Sequence, residues 1–169
     1  MIEGMDPRYP TGKFVPDPQV TPHKRAELIA TIASLPAELT AALATADLDK
    51  PYREGGWTTR QVVHHVADSH MNAFVRFRLA LTEENPTVKP YDQAKWVQLA
   101  DSKEDPAVSM LILTGLHHRW QIMLKSMSDA DFARTMHHPE HGPITCDWLL
   151  QLYAWHGRHH VGHVKLTVR

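Results

Sequence analysis

The segment Trp155–His163 reads WHGRHHVGH, and its histidines are spaced for chemistry. His156 and His160 stand four residues apart, as do His159 and His163. On a helix each pair shares a face, with β-carbons roughly 6 Å apart, so two imidazoles can chelate one metal ion. At about 100° per residue, all four fall within an arc of about 100° that also holds Leu149 and Leu152. That arc should face a core, where imidazoles without partners are costly. A single histidine on an apolar face is ordinarily a core residue with one hydrogen bond. Two overlapping pairs bring metal binding to the same standing, but spacing does not choose 156/160 over 159/163.

A third ligand has to come from another helix, and the run VVHHVADSHMN offers histidines. Ser69, Asn72 and Arg76 lie within about 40° of His65 around a helix, so the four form a polar stripe beside an apolar arc. One reading is a solvated helix edge. The other is a cavity lining, with a metal at one end and Arg76 available for an anionic group of a small substrate. Asp68 and His70 point elsewhere and can orient their neighbours. His117 sits at the border of an apolar face and His118 outside it, which suits ordinary packing. His137, His138 and His141 accompany Pro139 and Gly142, as expected of a surface loop, with a rim contact as the alternative. Cys146 stands at a helix start, which can lower a thiol pKa, but the sequence assigns it no histidine partner.

The elements that must position these residues are helical. Thr21-Pro22 is a cap followed by proline, opening a helix to about Ala46 that Pro36 should kink or split. Thr58 and Gln61 have capping-box spacing, and a second helix runs to about Glu84 before Asn85-Pro86. Thr87 to Glu104 reads as a structured crossover. Asp105-Pro106 opens a third helix to about Met127. Ser128 caps a short turn, His137 to Pro143 is a loop, and Thr145 caps a last helix to about Val168. There is no strong alternating strand pattern. The expected fold is all-α: a four-helix bundle with a long crossover between helices 2 and 3. One domain, 1–169, should carry an extended proline-rich arm over residues 1–20.

Composition narrows the function. Eighteen Lys and Arg balance 19 Asp and Glu for a net charge of −1, which argues against a nucleic-acid partner. One cysteine permits no intrachain disulfide. No run approaches the 18 apolar residues of a membrane span, and the polar N-terminus lacks a signal-peptide core. A soluble cytoplasmic protein is expected. Thirteen histidines are the unusual feature.

The run WTTRQVVHHVADSHMNAFVRFRLALTEENP, with PYDQAKWVQLADS after it and WHGRHHVGH near the end, resembles the YfiT-type proteins of the DinB-like family. That resemblance extends from Pro10-Thr11-Gly12 over most of the chain, and Gly157-Arg158 is where it departs. It implies a four-helix bundle with one divalent metal, zinc or nickel, held by His65, His156 and His160, in a homodimer. Three imidazoles leave a coordination position open, as in catalytic sites. The implied activity is a metal-dependent hydrolase that activates water. Two alternatives accompany it: an S-transferase that activates a low-molecular-weight thiol resembling bacillithiol, and a non-catalytic metal-binding stress-response protein. No HExxH glutamate is present, so the general base is sought among Asp68, His159 and His163.

Overall fold

The structure, a computed structural model, describes residues 6–168. The first five residues of the expected arm therefore lie outside the described residues. Four long helices, α1 (Pro22–Leu43), α2 (Thr59–Thr82), α4 (Ala107–Ser126) and α6 (Cys146–Lys165), make a four-helix bundle. The crossover after α2 carries the short α3 (Gln93–Trp96) and a 3-10 turn, Ala100–Lys103; α5 (Asp129–Phe132) follows α4. α1 and α2 each pack against both α4 and α6, so they occupy opposite corners.

Local chemistry sets the helix ends. Thr21 Oγ1 accepts from Lys24 N at 3.1 Å, and Thr58 with Gln61 closes a full capping box. Thr145 caps α6 through Trp148 N at 3.1 Å. Asn85, with φ 46°, turns the chain away after α2. Arg25 spans both Asp147 oxygens at 2.7 Å, joining the start of α1 to the start of α6. Among the described residues, by length and mean hydropathy, α1 alone falls in the range of a membrane span; its apolar face, Leu28, Ile29, Ile32, Leu35 and Leu39, is buried in the bundle.

Two expectations are corrected. α1 runs unbroken through Pro36. Proline lacks the N–H that would bond the Ile32 carbonyl and ordinarily leaves that acceptor bare. Here His117 Nδ1 reaches across from α4 and bonds Ile32 O at 2.6 Å. The expected loop at 137–143 is instead the turn of an antiparallel hairpin, β1 (Thr135–His138) with β2 (Gly142–Thr145). Its strands have four residues each, too short to show alternation, and Met136 and Ile144 point inward. Gly142, at φ +72°, takes the conformation that the turn needs.

The buried apolar residues form two clusters. One gathers around Phe77, Trp120 and Leu149, the other around Leu39, Val66 and Leu113. Along α2 the break falls between Ala67 and Ala73, along α4 between Leu113 and Trp120, and along α6 between Ala154 and Val161. His70, His117, His156 and His160 fall in those gaps, so a layer of histidines divides the core.

Candidate metal centre

α2 supplies His65 to this layer, and α6 supplies His156 and His160 one turn apart. One nitrogen from each ring lies within 4.8 Å of the others. His65 Nε2 and His156 Nε2 are 3.3 Å apart. Two imidazoles on one tetrahedral ion, with metal–nitrogen bonds of 2.0–2.1 Å, place their nitrogens about 3.3–3.4 Å apart, so an ion fits between them. Burial also favours this donor set. Desolvation pulls the His65 pKa down to about 4, and it pulls those of His156 and His160 well below the usual value. Neutral rings are what a metal requires.

The remaining nitrogens of the α6 pair are held. His156 Nδ1 is 3.1 Å from His70 Nε2. His160 Nδ1 is 3.2 Å from His163 Nδ1, and the His163 ring stacks on Tyr52 with centroids 3.9 Å apart. Trp57 lies against His65 at 4.8 Å. Among the described residues no fourth histidine, cysteine or carboxylate joins the three; Ser69 Oγ lies 3.5 Å from His156 Nε2.

The three histidines open onto a cavity of about 370 Å³ walled by Arg8, Tyr52, Arg53, Trp57 and His159, with no carboxylate among the described residues that line it. The arm supplies part of this wall. Its backbone is anchored along α6 by Trp155 Nε1 donating to Gly12 O at 3.1 Å and by Gln151 bonding Asp17. A β-carbon at Gly162 would come within 2.8 Å of Pro10, so glycine lets the arm approach. A second cavity, about 620 Å³, shares His156 and Gln93 with the first and is lined by Ser69, Arg76, Tyr91, Tyr153, His138 and His141.

A family model described as the DinB superfamily matches residues 28–164. The chain belongs to the DinB superfamily. Relatives in this superfamily include a "Putative metal-dependent hydrolase" of Bacillus cereus strain B4264, 50% identical over 162 residues and covering 94% of each chain. One of the same description from Bacillus mycoides is 49% identical with the same coverage. The solved structure of YfiT from Bacillus subtilis, described as "a probable metal-dependent hydrolase with an unusual four-helix bundle topology", aligns with a TM-score of 0.91 at 42% identity. It covers 95% of this chain and 94% of its own.

Against this DinB fold the other expected site residues divide. Ser69 and Arg76 are buried and line the second cavity, which removes the solvated-edge reading for them. Arg76 donates to Lys89 O at 3.0 Å and lies 3.5 Å from the Tyr153 hydroxyl; no carboxylate pairs with it among the described residues. Asn72 is a correction: its amide bonds back to Asp68 O at 2.9 Å, and it lines neither cavity. Asp68 is a second correction, since it too is outside both linings, with its carboxyl pushed up by burial. His159 lines the first cavity, and its buried Nδ1 has no hydrogen-bond partner among the described residues. His163 lines the first cavity as well, with its Nδ1 3.2 Å from His160 Nδ1. Cys146 is buried, with its thiol pushed up to about 12. Gly157 faces Leu35 of α1, where a β-carbon would come within 2.8 Å, and Arg158 is exposed, so this departure lies outside the cavity wall. Neither composition nor spacing points to Tyr153 or to the pairing of His70 with His117.

Proposed function

We propose that this protein is a metal-dependent hydrolase with one divalent ion, zinc or nickel, held by His65, His156 and His160. The observation that carries this reading is the convergence of three neutral imidazoles, two of them buried and that of His156 half-buried, on one point that opens to a cavity. The names of the relatives support it. An ion held there would polarise a substrate oxygen and lower the pKa of a bound water to about 7. The chain's own residues do the rest. His159 lines the first cavity and is kept neutral by burial, so its ring can orient a substrate or a water there by hydrogen bonding. Arg76, backed by Tyr153, sits where the second cavity meets His156 and suits a carboxylate or similar anion on the substrate.

A second reading, transfer of a small thiol to an electrophile, draws support from Arg8 and Arg53 in a lining that holds no carboxylate among the described residues, which suits a thiolate. A homodimer is part of the proposal too. Val108, Leu111, Ile112 and Ile122 leave an exposed apolar stripe on α4, supporting a contact between copies.

Elemental analysis of tag-free protein should find about one zinc or nickel per chain, lost in His65→Ala. Panels of anionic esters and amides, and of thiol–electrophile pairs, then separate the two activities. Arg76→Ala should raise KM for anionic substrates roughly 10–100-fold, as expected for a lost charged contact of about 1.4–2.8 kcal/mol. Native protein without metal would end the enzyme reading.

A further inference from the structure

Two histidines outside the ligand set continue the line behind His156. His70 Nε2 is 3.1 Å from His156 Nδ1. His70 Nδ1 is 3.0 Å from His117 Nε2. His117 Nδ1 is 2.6 Å from the Ile32 carbonyl oxygen. His70 and His117 are 0% and 1% exposed, and Trp120 packs edge-on to both rings. No carboxylate takes part in this line among the described residues, so nothing in it would balance a buried imidazolium, and each ring carries a single N–H.

The far end of the line sets its direction. A carbonyl oxygen only accepts, so His117 holds its proton on Nδ1. Its Nε2 is then a lone pair, which His70 meets with Nδ1–H. His70 Nε2 is a lone pair in turn, which His156 meets with Nδ1–H. This leaves His156 Nε2 bare, facing His65 Nε2 at 3.3 Å. The far end is itself fixed by covalent structure: Ile32 O is the acceptor that Pro36 leaves without its helical partner.

We propose that Pro36, the Ile32 carbonyl, His117 and His70 form a positioning line that locks His156 in the Nδ1–H tautomer and so presents its Nε2 to the ion. The proposal rests on the metal reading above. A metal-bound histidine commonly donates its other N–H to a carboxylate, carbonyl or water. Here the acceptor is the His70 ring, and the line ends on a carbonyl two rings beyond His156. Neutral histidine in water favours the Nε2–H form, which could not bind through Nε2, so the line selects the less favoured form.

The test is long-range proton–nitrogen correlation NMR on ¹⁵N-histidine-labelled protein, loaded with zinc and again after chelation. His117, His70 and His156 should all show Nδ1–H in both states. Nε2–H at His70 or His117 in either state would overturn the line. A second measurement uses zinc affinity by chelator competition. His70→Leu should weaken it about 10–100-fold, and His70→Gln, whose amide both donates and accepts, should recover part of it. Native affinity in a folded His70→Leu would also overturn the positioning role. If that variant does not fold, the tautomers of the unaltered protein decide. Unaltered protein that takes up no zinc would remove the metal reading, whereas the tautomers would still report the line independently.

Discussion

Two groups of three ligating side chains occur among the described residues, each with its donor atoms within 4.8 Å. His65, His156 and His160 stand on long helices in the core. His138, Glu140 and His141 stand at the hairpin turn, where Glu140 and His141 are exposed. The difference is what lies behind the donors. On the helices, His156 and His160 have their second nitrogens held by His70 and His163. At the hairpin, His138 Nδ1 already accepts the Glu140 amide at 3.2 Å, and the other two must be ordered out of water. Proximity of ligating atoms is thus a weak criterion for a site. Preorganisation and desolvation separate the two groups.

The comparison breaks most readily at the ligands. His160→Ala should cut zinc affinity by more than the roughly 10–100-fold typical of losing an outer partner, and His141→Ala should leave stoichiometry and affinity unchanged by chelator competition. Equal losses in both variants would make the hairpin part of the site.

Acid should sharpen it. In metal-free folded protein, burial sets His65, His159 and His163 near pKa 4, from 6.5 in the free side chain. Below about 6.5 the unfolded chain therefore binds more protons than the folded one, and folding weakens as pH falls towards 4. Each group contributes at most about 1.4 kcal/mol per pH unit. Thermal melts of metal-free protein should move down steadily from pH 7 to 5, and bound zinc should oppose the shift near neutrality. A flat profile would mean that these rings are not held neutral by burial.

The smallest effect concerns support at a distance. Gly157→Ala gains about 1 kcal/mol of helix propensity but forces a methyl against buried Leu35, and overpacking costs about 1–3 kcal/mol. A net loss of about 1 kcal/mol is expected in denaturant unfolding, with zinc affinity unchanged. A large loss of affinity would show that the seating of α6 on α1 tunes the site.

Helix ends were legible because caps are local. Thr21, Thr58 and Thr145 act within three residues, and all three cap as their spacing implies. The bundle followed from them. The stripe of His65, Ser69 and Arg76 was legible as a face, but Asn72 showed the limit, because its amide had a closer acceptor in its own helix. Spacing did not separate 156/160 from 159/163; only the position of α2 distinguishes them, and that is a packing fact. Of the kink or split expected at Pro36, the split does not occur, and the sequence could not show why, because its remedy, His117, lies 85 residues from Ile32. The hairpin escaped because four-residue strands declare themselves by pairing.

The arm along α6 has a consequence for how such a protein can diversify. The helices hold the ligands and the core, and a stretch of irregular chain forms part of the mouth, attached by Gly12, Asp17 and the close seat at Gly162. Stability and selectivity are thereby assigned to different lengths of sequence. Exchanging Arg8 and its neighbours can reshape what enters without asking the bundle to refold, so new specificities are reachable through a segment that carries little of the fold.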